Sequence, residues 1–159
     1  RLLEPMMARL ADIDESLRKP LEGLDCPTFE APAWVTGPKL NQRRVAIIST
    51  AALSTRSDKT FAVGEADYRV IPGNTAGDDL VMSHVSPNFD RTGFQQDLNV
   101  VFPIDRLREL ADEGVIGSVA DYHYSLMGST DPTLLAPAVE RLVPLLKKDA
   151  VNTLLLAPV

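Results

Sequence analysis

The sequence predicts an α/β fold with three layers and a mainly parallel sheet. From residue 44 onward, apolar β-branched runs typical of buried strands alternate with segments whose apolar residues recur about every 3.6 positions, as they do in helices. Strands that alternate with helices favour parallel pairing, with helices covering both faces of the sheet. A chain of 159 residues is long enough for one such domain with its own core.

Turn and capping residues set the bounds of the predicted elements. The predicted strands are 44–50, 68–71, 80–84, 115–122 and 151–156. The predicted helices of this domain are 103–113 and 131–148. Asp131 suits the N-cap of the second helix and Pro132 its first position. Its predicted buried stripe is formed by Leu134, Leu135, Val139, Leu142, Leu145 and Leu146.

Ahead of this domain, the periodicity of residues 2–18 predicts an amphipathic helix that Pro20 and Gly23 end. We therefore divide the chain into an N-terminal helical segment, residues 1–25, a Pro-rich connector, residues 26–43, and an α/β domain, residues 44–159. The apolar face of the helix favours a homo-oligomer or hetero-oligomer. The apolar last residues predict that the α/β domain continues beyond Val159.

Composition narrows the class of protein. The formal net charge is -6 and the 16 basic residues are scattered, which argues against a nucleic-acid partner. No apolar run approaches the roughly 20 residues that span a membrane. The one cysteine, Cys26, cannot form an internal disulfide and is interpreted as a small apolar residue. These features, with no secretory segment at the start of the chain, favour the cytoplasm.

Candidate catalytic and binding residues are concentrated in residues 83–127. The two histidines, His84 and His123, could transfer protons, bind a substrate carboxylate or, with a carboxylate, ligate a metal. Their spacing matches no metal-binding motif, so no metal is predicted, and no nucleotide-binding motif is present. Each histidine is equally typical of a buried structural position. We nevertheless predict that both are catalytic.

The predicted substrate-binding residues come from loops and from the first turn of the predicted helix 103–113. Thr50 and Ser54 follow the first strand, and ligands of open α/β sheets bind at the carboxyl ends of strands, although such residues also cap turns. Arg106 could hold a substrate carboxylate with Asp97 positioning it, or could form a surface ion pair. The full predicted set is Thr50, Ser54, Asp90, Asp97, Asn99 and Arg106.

Several motifs resemble one known family. They are Arg-Val-Ala-Ile-Ile-Ser-Thr at 44–50, Ser-His at 83–84, Asp-Leu-Asn-Val-Val-Phe-Pro at 97–103 and Glu-Gly-Val-Ile-Gly at 113–117. Together they resemble the glycine/sarcosine/betaine reductase and D-proline reductase family, a selenoprotein B-like family. The third motif is the most specific of them. The resemblance covers about residue 30 to the end of the chain.

The resemblance implies a flavodoxin-like fold and a reductase subunit that cleaves a carbon–nitrogen bond in a small amino acid or betaine. It also implies a reactive cysteine or selenocysteine directly after Val159, other reductase subunits or a thioredoxin-like reductant as partners, and no organic cofactor. A thiolate or selenolate at that position would be activated by a following helix or a cationic neighbour. The alternative is a non-catalytic α/β subunit that binds a small molecule or serves assembly.

Overall fold

A computed structural model describes residues 14–23, 28, 35–86 and 91–159. The chain forms two compact units, residues 1–33 and 34–159. In the first unit, helix α1 spans Glu15–Glu22 and Asp14 accepts a hydrogen bond from the Ser16 N–H at its start. The helix passes through Pro20 to Glu22, so its predicted end at residue 18 is wrong. Residues 2–13 of the predicted helix, together with Cys26 and Asp90, lie outside the described residues.

The main sheet of the second unit is built around strand β1, Arg44–Ser49. Strand β7, Thr153–Ala157, pairs with it in parallel on one side. On the other side β1 pairs in parallel with β5, Ser118–Val119, and then with β6, Tyr122–Ser125. Strand β3, Arg69–Pro72, is antiparallel to β6. The sheet is therefore mixed, with a parallel centre and one antiparallel edge.

The elements that lie between β1 and β5 in the sequence include a second, smaller sheet and two helices. Strands β2, Leu53–Thr55, and β4, Leu80–Met82, form a separate antiparallel pair. Helices α2, Thr92–Gln96, and α3, Ile104–Asp112, follow β4. The small and hydroxyl residues at 51–58 predicted a polar loop after the first strand, and this is wrong at residues 53–55, which form β2. Among the described helices, none is long and apolar enough to cross a membrane.

The core joins α3 to the main sheet. Ile104 and Leu107 of α3 are buried against Ile47 of β1 and Ile71 of β3, with Phe102 from the turn before the helix. This placement follows from the sequence, since Ile104 and Leu107 lie three positions apart on one face of a helix. The α/β class is therefore confirmed, whereas the three-layer, flavodoxin-like arrangement stays a prediction.

Helix α4, Ala136–Lys148, differs from its predicted form. A 3-10 turn at Pro132–Leu135 replaces the first part of the predicted helix, and Asp131 caps this turn by accepting from the Thr133 N–H at 2.9 Å. Pro137 lies in the first turn of α4, where proline is tolerated, and Pro144 lies inside the helix. The buried residues of α4 include Ala138 and Leu142. The predicted stripe is wrong at three of its positions, because these side chains are 37% to 58% exposed: Leu134, Val139 and Leu145.

A break separates β5 from β6 and replaces the single strand predicted at 115–122. The Ala120 N–H still donates to the Val45 carbonyl. In a regular parallel ladder the Ala120 carbonyl would next accept from the Ile47 N–H. That N–H donates instead to Nδ1 of His123, at 2.9 Å. An imidazole nitrogen thus substitutes for one backbone acceptor of the sheet.

Asp149, at the end of α4, accepts hydrogen bonds from the backbone N–H groups in the break. Its Oδ2 accepts from the N–H groups of Asp121 and Tyr122, at 2.9 and 3.0 Å. Its Oδ1 forms an ion pair with Nη2 of Arg44 at 2.5 Å. Arg44 also donates through Nη1 to the Val119 carbonyl. The Asp149 side chain is 7% exposed, so these bonds form largely away from water.

We predict that Asp149→Asn destabilises the unit by about 2–4 kcal/mol, because it leaves Arg44 without its buried partner. Burial opposes ionisation of Asp149, but bonds from Arg44, Tyr122 and Asp121 outweigh it and hold the pKa below the ordinary 3.8. The stabilisation is therefore complete above that pH and is lost as the pH falls through the folded-state pKa.

Urea denaturation of the parent protein and of the Asp149→Asn variant, at several acidic pH values, checks this prediction. Asp112→Asn, at the exposed end of α3, is the control and should change stability by less than about 0.5 kcal/mol. Equal stabilities for the Asp149 variant and the parent protein would contradict the assigned role.

Candidate functional site

The carboxyl ends of β1 and β7 meet at Thr50. The Thr50 N–H donates to the Ala157 carbonyl at 3.1 Å, and the Thr50 hydroxyl accepts from the Val159 N–H at 2.8 Å. The Thr50 carbonyl accepts from the Gly128 N–H at 2.9 Å, which brings in the loop after β6. Thr50 therefore lies at the carboxyl edge of the sheet, as predicted, and connects three segments there.

His84 lies at the same edge. A Cβ atom on Gly128 would lie 3.1 Å from His84 Nε2, 2.9 Å from the Thr50 carbonyl oxygen and 2.6 Å from the Val159 carbonyl oxygen. Only glycine fits so close to backbone atoms. We name the group formed by Thr50, His84, Gly128 and Val159 the carboxyl-edge site.

The His84 ring is held in one tautomer. Its Nδ1 accepts from the Ser86 N–H at 3.2 Å, so in the neutral ring the proton is on Nε2, which faces Gly128. Burial, and to a lesser extent the charge of Arg91, lowers the pKa of His84 below its ordinary 6.5. The imidazole is therefore neutral at neutral pH and can donate one proton at Nε2.

A strained residue fixes the segment that carries His84. Ala52 is fully buried and has φ +53°, a left-handed conformation unusual for a residue with a side chain. Its N–H donates to the Leu126 carbonyl at 2.9 Å, and its carbonyl accepts from the Ser83 N–H at 3.0 Å. The Ser83 hydroxyl donates to the same carbonyl at 3.2 Å. These bonds place His84 against the strand ends.

His123 lies elsewhere. It is fully buried within β6, and its ring is edge-on to Phe102 with centroids 5.6 Å apart. Its Nε2 would lie 3.4 Å from a Cβ atom on Gly73. Gly73, beside His123, is bonded to Asp121 just before β6 begins. Gly128, beside His84, follows the end of β6. The two imidazoles therefore lie towards opposite ends of β6 and contact different residues.

Asp97, Asn99 and Arg106, which were also predicted to bind substrate, are paired with neighbouring residues. Asp97 accepts from the N–H and Nδ2 of Asn99, both at 2.9 Å, and Asn99 in turn exchanges hydrogen bonds with Asp105. Arg106 is exposed and forms an ion pair with Glu109 at 2.8 Å. The hydrogen bonds from Asn99 lower the pKa of Asp97 most, and the charge of Arg106 contributes least.

Sequence reasoning missed Arg108. This residue pairs with Asp105 at 2.7 Å and donates to the Gly73 carbonyl, which connects the 97–103 motif to the turn after β3. Its spacing of three residues from Asp105 on one helix was the available signal. Ser54 is fully buried in β2, and its hydroxyl has no hydrogen-bond partner among the described residues. Across the same residues, no three His, Cys, Asp or Glu side chains form a metal-binding group.

Comparison with known proteins shows the family. The family model for glycine/sarcosine/betaine reductase selenoprotein B matches residues 71–158, more than half of the chain, so the chain belongs to this family. D-proline reductase subunit gamma of Acetoanaerobium sticklandii is 35% identical over 104 residues, which are 64% of this chain and 42% of that relative. The chain thus spans less than half the length of this relative. No solved structure matches the chain.

We predict a pH-dependent stability from His123. Burial is the main cause that lowers its pKa from 6.5 to about 4, so the unfolded chain binds a proton between these values and the folded chain does not. Stability therefore falls as the pH drops from 6.5 to about 4, by up to roughly 3 kcal/mol, and this loss ends below that pH.

His123→Leu should remove this dependence. It should also lower stability at neutral pH by about 1–3 kcal/mol, because the Ile47 N–H loses its acceptor. Denaturation curves at several pH values between 4 and 7 check both effects. An unchanged slope against pH would mean that His123 does not titrate as described.

Proposed function

We propose that this chain forms the substrate-reducing part of a Cys- or Sec-dependent reductase that acts on a small amino acid or betaine-like substrate. The observation that carries the proposal is the convergence of His84 Nε2, Thr50 and the Val159 backbone around Gly128. Membership of the reductase selenoprotein B family supports the reaction class. The position at the carboxyl edge of a parallel sheet centre supports a ligand site.

The proposed reaction transfers two electrons to the substrate. A thiolate or selenolate, from a residue directly after Val159, attacks the carbon that bears the nitrogen, so a carbon–sulfur or carbon–selenium bond forms as the carbon–nitrogen bond breaks. The nitrogen leaves with the bonding electron pair and takes up a proton, which gives an amine. A second thiol then attacks the sulfur or selenium, and the released carbon takes up a proton. The oxidised pair is reduced by a dithiol protein, a thioredoxin-like reductant or another reductase subunit. This chemistry requires a reducing compartment, consistent with the cytoplasm.

His84 is the proposed proton donor in the second step. Its Nε2 carries the proton and faces the group of backbone atoms that surrounds Gly128. Thr50 positions the segment after β7 through its bond from the Val159 N–H. Direct substrate contacts of Thr50, Ser54, Asp90, Asp97, Asn99 and Arg106, a catalytic role of His123, and a homo-oligomeric or hetero-oligomeric state stay predictions.

The alternative function is a non-catalytic small-molecule-binding or assembly subunit. The same carboxyl-edge site could bind a ligand without any thiol. The two functions differ in one chemical group, so the reactivity of the protein encoded by the complete reading frame separates them.

We predict that iodoacetamide labels a Cys or Sec directly after Val159 when that protein is alkylated near neutral pH. The expected product is a modified tryptic peptide that begins at Asp149 and includes β7, identified by mass spectrometry. Cys26 serves as the internal comparison, since it should react more slowly than an activated thiolate. Modification confined to Cys26 would reject the reductase and favour the non-catalytic subunit.

We further predict that His84→Gln lowers kcat of the assembled reductase by about 10²–10⁴-fold, because a positioned proton donor is lost. KM and the melting temperature should change little, as Gln retains polar atoms in the same space. Val85→Ala, at the exposed neighbouring position, is the matched control and should keep full turnover. Substrate consumption with glycine, sarcosine, betaine and D-proline gives the measurement, and full activity of the Gln variant would exclude His84 as the donor.

A further inference from the structure

Residues 50–53 carry the chain out of the main sheet, from the end of β1 to the start of β2. We call them the exit segment. Residues 51–53 are fully buried, so each of their backbone N–H groups needs a partner inside the protein. The N–H groups of Thr50 and Ala52 donate to backbone carbonyls, one in β7 and one in the residue that follows β6. The other two N–H groups of the segment require acceptors that are not backbone carbonyls.

Two serine hydroxyls supply these acceptors. Ser49 Oγ accepts from the Ala51 N–H at 3.2 Å, and Ser125 Oγ accepts from the Leu53 N–H at 2.8 Å. Both serines are fully buried. They are the last residues of β1 and β6 and are partners in the parallel register of these strands. The two acceptors therefore lie together at the carboxyl end of the parallel centre.

A second hydrogen bond fixes the orientation of each hydroxyl. Ser125 Oγ donates to the Ser49 carbonyl at 3.2 Å, and Ser49 Oγ donates to the Val101 carbonyl at 2.8 Å. Each hydroxyl thus donates one bond and accepts another, which leaves it one orientation. Ala52, with φ +53°, lies between the two N–H groups that the serines hold. Because this left-handed conformation costs free energy, loss of either acceptor favours relaxation of the exit segment.

Both ends of the exit segment lead to the carboxyl-edge site. At one end, the Thr50 hydroxyl accepts from the Val159 N–H at 2.8 Å. At the other end, Leu53 pairs with Met82 of β4, and His84 follows two residues later. A displacement of the exit segment would therefore move His84 Nε2 relative to the Val159 backbone.

We propose that Ser49 and Ser125 are positioning residues for the carboxyl-edge site. Their hydroxyls fix the exit segment, and the exit segment fixes the placement of His84 Nε2 beside the Val159 backbone. Both serines act through backbone groups and not by contact with a ligand. The effect on turnover rests on the proposed reductase function, whereas the effect on the His84 ring does not.

The ring resonances of His84 test the effect on structure without any turnover. In the protein encoded by the complete reading frame, labelled with ¹⁵N-histidine, His84 should show the tautomer with its proton on Nε2. Ser125→Ala and Ser49→Ala should each shift these resonances towards those of a ring with mixed tautomers. His123, whose Nδ1 accepts from the Ile47 N–H, is the internal control and should keep its resonances. His84→Gln removes one set of signals and so assigns them.

Turnover tests the effect on catalysis. Ser125→Ala should lower kcat of the assembled reductase by about 10- to 100-fold, because a displacement on the order of 1 Å at the reacting groups has an effect of this size. In the His84→Gln background the same change should lower kcat by less than about twofold, since the donor that the serine positions is already absent. Asp149→Asn, which destabilises the same unit at the break, is the matched control and should keep the kcat of the parent protein.

Melting curves identify the folded variants, and Ser49→Ala serves for both measurements if Ser125→Ala does not fold. Unchanged His84 resonances in a folded serine variant would overturn the proposal. An unchanged kcat, an equal loss in Asp149→Asn, or an equal loss with and without His84→Gln would overturn the effect on catalysis. Failure of the proposed reductase function would appear instead as no turnover by the parent protein. The ring resonances would still decide whether the serines position His84.

Discussion

The break in the sheet between Val119 and Tyr122 is the constraint on which the second unit depends. A break beside the central strand exposes backbone N–H and carbonyl groups inside the fold, where each unpaired group costs about 1–3 kcal/mol. Side chains from distant parts of the chain supply the missing partners: His123 accepts from Ile47, and Asp149 accepts from the N–H groups that follow Ala120. The end of α4 is thereby held against β1 through Arg44.

The break also explains why the polar residues separate into two groups. Beside the break, Arg108 of α3 donates to the Gly73 carbonyl. Beyond the break, towards the carboxyl end of β1, β1 and β6 pair in parallel from Ile48 and lead to the carboxyl-edge site at Thr50. A single shared cluster of His84 and His123 does not form, because His123 is committed to the break and His84 to the loop beside Gly128.

The sequence predicted the strands and helices that are determined by residues close together in the chain. The β-branched run of β1 and the Pro103 start and Gly114 stop of α3 are readable from the sequence, as is Thr50 at the carboxyl end of a strand. The break was not readable, since it depends on Asp149, which lies 28 residues from Asp121. The exposed face of α4 was missed because periodicity shows an apolar stripe but not what covers it. For the same reason, His84 and His123 looked equivalent in sequence, although only His123 completes a backbone ladder.

The segment at residues 97–103 has two structural contacts, one towards α3 and one at the end of β1. Its Asp97 and Asn99 position Asp105 and so Arg108, while its Val101 carbonyl accepts from the Ser49 hydroxyl at the end of β1. The segment therefore contacts the end of β1 directly and the turn at Gly73 through Asp105 and Arg108. The break and the carboxyl-edge site are separate in their contacts, but the 97–103 segment is bonded to Ser49 beside the carboxyl-edge site and packs Phe102 against His123 at the break.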